Sequence, residues 1–483
     1  MELPDWVSKH KKSGTEVRLI KGRYYLYEIS SVWDPEKGRA RKITGKFLGR
    51  ITESGMIKPK HERVRESMKN VTVKEFGATA FLLESCKDIM DALKLEYPHE
   101  WKSIFAFAAF RLMHNSPIKN LASHYIASYL SESMGEIRIS PKAIGPMLRD
   151  LGKERDRTKR FLSRFVKGTK FAVIDTTHVF SLSEGIITAV TGHNSEGECL
   201  PQTRLMLIHS LDRRMPAYFR MLQGDVTDVS AVSLTVSEAG IRKAVLIGDK
   251  AFYSKSNVEK LEKSGIKYVL PLNRNSSLAD YGPFMSGDRT RLDGHFFFEN
   301  RVVWHSARSR WGKRIITYLD PKLRAEEERD MLLRLDGKRN LKKKFGEKQR
   351  MLGTITVITD IRGSAQEVFG LLKCRIEIET VFDAFKNTIN ADRTYMRDDY
   401  QLEGWMLVNF VSLMMYYRLY GLLRGCGLLS KYSPKDALMH LSRVFMLRMG
   451  EEWTLSEVPK KPRVILEKIG MSDILRKNGR VKV

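Results

Sequence analysis

Residues 170–181, KFAVIDTTHVFS, decide the fold of the chain. Apolar residues occupy both faces of this run, as the central strand of a covered sheet requires, and Asp175 follows its apolar part. Residues 173, 175 and 177 share one face of a strand, so Asp175 projects from one side of the sheet and His178 from the other. The run therefore predicts a buried strand that ends in a carboxylate.

Strands and helices alternate after this run, which predicts a mixed α/β sheet. We expect strands at 185–191, 203–210 and 217–222, a helix at 229–239, a buried strand in KAVLIGDKAF (243–252), and helix then strand in SNVEKLEKSGIKYVLPL (256–272). Asp249 ends the second buried strand, and sites tend to form at the carboxyl ends of strands in open α/β sheets. Asp212, Asp225, Asp228 and Asp383 compete for a site role on geometry alone.

An insertion interrupts the sheet between residue 275 and about residue 350. It contains a hairpin, HFFFENRVVWHSA (295–307), a charged helix, KLRAEEERDMLLRL (322–335), and a basic segment, GKRNLKKKFGEKQR (337–350). The basic segment is either a solvated face or a phosphate contact. The sheet resumes at GTITVITDI (353–361).

Residues 373–387, KCRIEIETVFDAFKN, predict one helix with three charged groups on a stripe. At roughly 100° per residue, Arg375, Glu379 and Lys386 fall within about 40° of one another. Ile378, Val381 and Phe385 form a separate apolar face that packs into a core. On this helix alone, a solvated face with weak i, i+4 pairing is the usual explanation of such a stripe, and only partners elsewhere in the chain can favour a functional role.

The N-terminal third predicts two further modules. Residues 15–50 alternate like strands around a turn at 34–38, and their basic residues and tyrosines suit either a DNA-backbone contact or an unspecialised hairpin. From about residue 71 to 165 the pattern is helical, and Ser140-Pro141 predicts an N-cap followed by Pro in the first turn. The predicted segments are a small basic β module (1–65) and a helical domain (66–167), both with possible DNA binding, the first part of the core (168–274), the insertion (275–352), the second part of the core (353–428) and a C-terminal helical and basic region for dimerisation (429–483).

Composition favours a polyanionic partner. The chain has 84 Lys and Arg against 57 Asp and Glu, a formal net charge of +27. Nucleic acid is the leading partner. A membrane surface is the rival, but the cations are spread along the chain and form no single basic amphipathic helix. The charge-free segment 405–417 is too short to span a bilayer, and an N-terminus without an apolar run and four scattered cysteines predict a cytoplasmic protein.

Several of these motifs resemble those of the DDE transposases of insertion sequences, in the IS-four-like group. Arg375, three residues, Glu379, six residues, Lys386 matches most of that group's Tyr-Arg-Glu-Lys signature. Asp249-Lys-Ala-Phe-Tyr253 looks like its second-Asp motif, Asp175-Thr-Thr resembles its first, and residues 224–228 look like its Gly-Asn-x-x-Asp element. The resemblance covers roughly residues 165 to 425.

The resemblance implies a ribonuclease-H-like catalytic core in an α/β fold, within a chain that is multidomain α+β overall. Asp175, Asp249 and Glu379 would hold Mg²⁺ or Mn²⁺, with two ions as the usual arrangement for phosphoryl transfer. Arg375, Lys386, Lys250 and Tyr253 would contact DNA. The implied partners are the transposon's terminal repeats, target DNA and a second copy of the chain. A catalytically silent DNA-binding descendant and a host nuclease of the same fold remain alternatives.

Two positions depart from the signature. The Tyr falls at Leu372, so a contact made by its hydroxyl is absent or comes from another residue such as Tyr253. The Asn of the Gly-Asn element is Asp225, which adds a negative charge. Phe252 and Trp304 are weak candidates for stacking on a displaced base, and packing in the core or hairpin is the simpler role for both.

Overall fold

The structure is a computed structural model that describes residues 3–69, 71–192, 194, 197–226, 228–335 and 341–476, without the side chains of 64, 66–69, 228–230, 341, 342 and 344. Within these residues the chain forms two compact units. The smaller holds residues 3–74 and 445–457, and the larger holds residues 75–444 and 458–476. The finer division into six segments stays a prediction.

Four antiparallel strands form the main sheet of the smaller unit, in the order β1-β2-β3-β4. Leu26 and Ile51 of this sheet form a buried apolar cluster with Val7 of the N-terminal helix. The N-terminal elements are α1 Asp5–Ser8, β1 Thr15–Ile20, β2 Arg23–Asp34, β3 Arg39–Thr52, β4 Gly55–Ile57, α2 Lys60–Lys69 and β5 Thr72–Glu75.

The larger unit begins with a run of helices. The side chain of Ser140 accepts a hydrogen bond from the Ala143 N–H and Pro141 opens the helix, so the predicted N-cap is confirmed. The helices are α3 Gly77–Ser85, α4 Lys87–Glu96, α5 Trp101–His114, α6 Leu121–Ala127, α7 Leu130–Met134, α8 Pro141–Lys153 and α9 Arg155–Val166, with a 3₁₀ turn at Ile118–Asn120.

The central sheet contains eleven strands, and its core is ribonuclease-H-like, as predicted. The first six strands and their helices are β6 Phe171–Ser181, β7 Val190–Thr191, β8 Pro201–Ser210, β9 Met215–Leu222, α10 Asp228–Glu238, β10 Val245–Ile247, α11 Lys255–Lys263 and β11 Lys267–Pro271. Apart from the short β7, the spatial order is β9-β8-β6-β10-β11. Strand β8 is antiparallel to its neighbours, whereas β6, β10 and β11 are parallel. This third-second-first-fourth-fifth order defines a ribonuclease-H-like sheet.

The insertion extends the same sheet rather than forming a separate one. Strands β12, β13, β14 and β15 continue it beyond β11, and all four pair antiparallel. The elements here are α12 Gly282–Met285, β12 Gly294–Phe298, β13 Arg301–Arg310, β14 Lys313–Leu319, α13 Pro321–Leu335, α14 Leu341–Gln349 and β15 Thr354–Thr359. The predicted hairpin is therefore confirmed. Residues 336–340, at the start of the basic segment, lie outside the described residues.

The remaining elements carry the predicted Glu helix and a long core helix. They are α15 Ala365–Lys373, α16 Ile376–Asp383, a π turn at Ala384–Thr388, β16 Arg393–Thr394, α17 Asp399–Gly425, α18 Pro434–Leu441, β17 Phe445–Met449, β18 Glu452–Leu455 and α19 Lys460–Ile469. Strands β17 and β18 belong to the smaller unit, in a three-stranded sheet with β5.

Helix α17 packs closely against α8 because both carry a glycine at the contact. A Cβ at Gly404 would lie 2.0 Å from the carbonyl oxygen of Leu148, and one at Gly152 would lie 1.8 Å from that of Tyr400. The charge-free segment expected to be too short for a membrane is part of this 27-residue helix. By length and composition the helix could span a bilayer, but 72% of its most apolar window is buried inside the protein.

The strand predicted at 185–191 is wrong except for its last two residues. The backbone N–H groups of Ile187 and Thr188 donate to the carboxylate of Asp399, at 3.0 and 3.2 Å, instead of to a neighbouring strand. Ile187 is fully on the surface. A side chain distant in sequence thus takes the hydrogen bonds that a strand would have needed.

Candidate active site

Strands β6 and β10 bring two aspartates to the same level of the sheet. The strands are parallel, with Val245 opposite Phe171 and Ile247 opposite Val173. Continued by two residues, this register places Asp249 beside Asp175, and neighbouring residues in register point to the same face. Asp175 does not end its strand as predicted, because β6 continues to Ser181. Asp249 does follow its strand and begins a 3₁₀ turn, Lys250–Phe252.

The Glu helix is less regular than the predicted single helix. Helix α15 ends at Lys373, and the N–H groups of Arg375 and Ile378 bond to carbonyls three residues earlier, at 3.2 and 3.1 Å. This tight turn separates α15 from α16, and the helix then ends in a π turn. Ile378, Val381 and Phe385 are buried, which confirms the apolar face.

A buried arginine anchors the far end of this helix. Arg111 of α5 donates from Nη2 to the carbonyl oxygen of Asn390, at 3.1 Å, and from Nε to Oδ1 of Asn409, also at 3.1 Å. A cation near the C-terminal end of a helix interacts favourably with the helix dipole. Burial lowers the pKa of Arg111 to about 10. Arg111 is not among the residues predicted from the sequence, although a lone Arg in the apolar run IFAFAAFRLM was the available signal.

Three carboxylates converge on one guanidinium. Nη1 of Arg375 lies 3.6 Å from Oδ2 of Asp175 and 3.6 Å from Oδ1 of Asp249, while Nη2 lies 2.9 Å from Oε1 of Glu379. We call these four residues the Arg375 cluster. The structure therefore brings together the two strand acids and the helix acid, and it places Arg375 between them.

The Arg375 cluster suits a divalent cation by charge and by ligand type. Its three acids exceed its one base by two charges, and carboxylate oxygens are the ligands that Mg²⁺ and Mn²⁺ prefer. In the part of the chain that the structure describes, no three His, Cys, Asp or Glu side chains alone form a group that could hold a metal ion. The guanidinium lies between the acids, so a metal ion held by all three would have to displace it.

A cleft of about 770 Å³ opens beside the cluster. Asp249, Arg375 and Glu379 line one side of it. The other lining residues include cations and amides that the sequence analysis did not single out, namely Asn273, Arg274, Asn275 and Lys373. The three residues 273–275 follow β11, and their position at the end of a parallel strand was the signal that could have identified them.

Cations give the cleft a positive wall. Lys250 lies exposed at its edge. Burial lowers the pKa of the Lys373 ammonium, and nearby Arg301 acts in the same direction. Arg274 is held by Glu327, with Nη2 2.7 Å from Oε1. Leu372, at the position of the signature Tyr, is buried and contributes an apolar surface to the cleft.

Other predicted residues lie outside this cleft. Lys386 is half-buried in the π turn, and Tyr253 is half-buried with its pKa raised by burial. Phe252 is buried core, and Trp304 packs on the cluster of Phe284, Leu292 and Leu319. The position of neither ring therefore supports stacking on a displaced base.

The competing aspartates have other partners or no described environment. Asp212 accepts hydrogen bonds from the N–H groups of Lys170 and Phe171, at 2.7 and 2.9 Å, and Asp383 accepts one from Asn387, at 2.6 Å. Asp225 is exposed. Thr227 and the side chain of Asp228, in the element resembling Gly-Asn-x-x-Asp, lie outside the described residues.

Comparisons with known proteins give one family match and several distant similarities to solved structures. Residues 168–415 match the family model described as the transposase DDE domain. The chain is similar to a piggyBac transposase in a synaptic complex with hairpin DNA, at 10% identity over 79% of this chain and 73% of that one, with a TM-score of 0.40. It is also similar to the Mos1 transposase of a paired-end complex, at 11% identity over 34% and 56%, with a TM-score of 0.16.

A search of curated proteins finds no match. The assignment rests on the family model, whose match spans more than half of the 483 residues and contains all four residues of the Arg375 cluster. The chain belongs to the family of transposases with a DDE domain.

Proposed function

We propose that this protein cuts the ends of an insertion sequence of the IS-four-like group and joins them to target DNA. The observation that carries the proposal is the convergence of Asp175, Asp249 and Glu379 on one point at the edge of a cationic cleft. The reaction has two displacements. Water attacks a phosphodiester at the transposon end and frees a 3′-OH, and that 3′-OH then attacks a target phosphodiester and displaces the target's own 3′-OH.

The three carboxylates would hold Mg²⁺ or Mn²⁺, two ions in the usual arrangement. A divalent cation bound there supplies Lewis-acid stabilisation of the phosphoryl oxygens and a lower pKa for the attacking water or hydroxyl. Arg375 offsets part of the negative charge of the acids in the free protein and, once displaced, would be within reach of a DNA phosphate beside them. Lys250 and Lys373 attract the phosphodiester backbone into the cleft.

Lys386 and Tyr253 lie outside the cleft, and we propose that they contact DNA there, as the resemblance implies. We also propose that two copies act together on two transposon ends, since excision requires paired cuts. The mass of the complex formed with end DNA tests this: one protein chain per end pair would contradict it.

The experiment that tests the function is cleavage of a plasmid carrying the element's ends, in Mg²⁺ or Mn²⁺. We expect wild type to nick at the ends. Asp249→Ala and Glu379→Gln should slow cleavage by about a thousandfold or more, because each removes a ligand from a group that supplies several kcal/mol of transition-state stabilisation.

Glu377→Gln is the matched control on the same helix. Glu377 faces Arg424, with 3.7 Å between Oε1 and Nη1, and takes no part in the Arg375 cluster. Its loss should leave the cleavage rate near that of wild type. If Glu379→Gln cut as fast as Glu377→Gln, the carboxylate assignment would be wrong. If wild type bound the ends without cutting, the silent DNA-binding alternative would replace the proposal.

A further inference from the structure

The smaller unit carries a two-stranded ribbon that extends beyond the backbone pairing of the outer strands of its sheet. Strand β1 pairs with β2 only from Arg23 to Glu28, and β4 pairs with β3 only from Arg50 to Thr52. The Ile29 N–H still donates to the carbonyl oxygen of Gly14, at 2.8 Å, and from Ser30 opposite Ile43 to Asp34 opposite Arg39 the described backbone pairs join β2 to β3 alone. We call residues 29–34 and 39–44, with their connecting turn, the ribbon.

The ribbon exposes apolar side chains on both of its faces. Val32 is 52% exposed, Trp33 64% and Ile43 43%. A two-stranded hairpin is marginally stable in water by itself, and large exposed apolar groups mark interaction sites. The ribbon therefore offers an exposed surface on which a partner could bind.

Charge identifies that partner as a polyanion. Residues 37–46, KGRARKITGK, contain five cations and no acid. Lys42 is paired with Glu16 at 2.6 Å, and Lys46 is paired with Glu62. Within the described residues, Arg39 and Arg41 have no ion-pair partner.

The pairing places these two arginines on one face. Arg41 lies opposite Val32 and Arg39 opposite Asp34, so they share a face with Val32, while Trp33 and Lys42 point to the other. Two residues on one strand face are about 7 Å apart. The major groove of DNA is about 12 Å wide and admits a two-stranded β-ribbon, with cations reaching phosphates and base edges.

We propose that the ribbon inserts into the major groove of double-stranded DNA, with Arg39 and Arg41 as its main contacts. A second copy of the chain is the other occupant that an open ribbon edge allows. A cationic ribbon on a chain of net charge +27 repels its own copy and attracts DNA. The proposal rests on the proposed function only in taking DNA as the partner.

The test measures DNA binding by the full chain in EDTA, so it needs no cleavage. The probe is a fluorescein-labelled duplex of the element's end, and binding is measured by anisotropy over a range of salt concentrations. Arg39→Ala/Arg41→Ala should weaken binding and lower the salt slope by about two, since each phosphate contact contributes about 0.9.

Lys9→Ala/Lys11→Ala is the matched control, because it removes the same charge from exposed positions of the same unit off the ribbon. It should leave the slope near the wild-type value. Equal slopes for the two double variants would overturn the proposal. Binding in EDTA needs neither metal nor cleavage, so failure of the ribbon and failure of the catalytic assignment are distinguishable.

Methylation interference assigns the groove. Methylation of guanine N7, in the major groove, should block binding of wild type at certain positions of the duplex. At those positions the same methylation should no longer affect binding of Arg39→Ala/Arg41→Ala. Interference only from adenine N3, in the minor groove, would overturn the groove assignment. A DNA-free dimer that Trp33→Ala or Arg39→Ala/Arg41→Ala dissociates would show that a second copy, not DNA, covers the ribbon.

Discussion

Two arginine–carboxylate clusters in the larger unit differ in charge balance and in exposure. The Arg155 cluster, formed by Arg155, Arg220, Glu238 and Glu403, joins α9, β9, α10 and α17. Arg155 lies 2.9 Å from Glu238 and 3.6 Å from Glu403, and Arg220 lies 2.6 Å from Glu238. Two bases there balance two acids, whereas the Arg375 cluster has one base for three acids.

The two clusters also differ in their other hydrogen bonds. Arg155 donates to the carbonyl oxygen of Phe219, at 2.8 Å, and the Tyr218 hydroxyl donates to Glu238, also at 2.8 Å. Burial opposes ionisation of Glu238, but Arg155, Tyr218 and Arg220 together hold its pKa below the ordinary value. In the Arg375 cluster, Glu379 is half-exposed to the cleft. A balanced, enclosed cluster holds the fold together, and an unbalanced, open one can bind a cation.

The largest expected effect separates the clusters by stability. Arg155→Ala should lower the free energy of unfolding by about 3 kcal/mol, because it leaves the partly buried Glu403 without its cation and Glu238 with Arg220 alone. Arg375→Ala should change it by about 1 kcal/mol or less, because its nearest partner, Glu379, is 52% exposed and Asp249 is 32% exposed. Urea unfolding measures both values. Equal losses would show that the Arg375 cluster is a structural cluster too.

The next effect concerns metal affinity in the absence of DNA. Arg375→Ala should tighten Mn²⁺ binding roughly tenfold, because it removes a competing positive charge about 4 Å from the ligands. Arg375→Lys keeps that charge and should bind Mn²⁺ nearly as wild type does. Titration calorimetry measures the affinities. Weaker binding by Arg375→Ala would mean that the guanidinium orients the ligands instead of competing with the ion.

A third prediction concerns pH and the Arg155 cluster. Burial raises the pKa of Glu403 above its ordinary value of 4.5, and Arg155 only partly offsets this. The folded protein therefore holds a proton there that the unfolded chain releases, so this group lowers stability as pH rises from about 4.5 through the folded pKa. Glu403→Gln should remove that decline. The decline in the free energy of unfolding is about 1.4 kcal/mol for each unit by which folding raises the pKa of Glu403. Urea unfolding over a range of pH measures this. The same pH dependence in Glu403→Gln as in wild type would contradict the prediction.

The smallest expected effect lies outside both clusters. Lys386→Ala should lower the salt slope of end-DNA binding by about one and the affinity a few-fold, if Lys386 contacts a phosphate. Lys263→Ala, on the exposed side of α11, is the control and should leave the slope unchanged. Identical slopes for both variants would remove Lys386 from the DNA contacts.

The sequence supports a prediction of the sheet and its acids because these depend on local patterns. Apolar runs before Asp175 and Asp249 identify two buried strands, and the i, i+4 spacing of Arg375 and Glu379 identifies one helix face. The antiparallel hairpin of the insertion is likewise readable from its alternation and its Glu299-Asn300 turn. None of these features requires a contact with a distant part of the chain.

The details that escaped prediction all depend on distant contacts. Asp399 captures the backbone of Ile187 and Thr188, which ends a predicted strand. Arg111 holds the carbonyl oxygen of Asn390 at the end of the π turn. Arg375 meets two strand acids as well as Glu379 only because β6 and β10 are parallel neighbours. Periodicity in one segment carries no information about such partners.

The central claim is that Asp175, Asp249 and Glu379 form the metal site, and iron-mediated backbone cleavage tests it most directly. Fe²⁺ with ascorbate and peroxide, bound in place of Mg²⁺, generates hydroxyl radicals that cut the nearest backbone. We predict cuts close to residues 175, 249 and 379, and excess Mg²⁺ should suppress them. The Glu377→Gln variant should still be cut at these positions, and the Glu379→Gln variant should not. Cuts elsewhere in the chain, or an unchanged pattern in Glu379→Gln, would contradict the account.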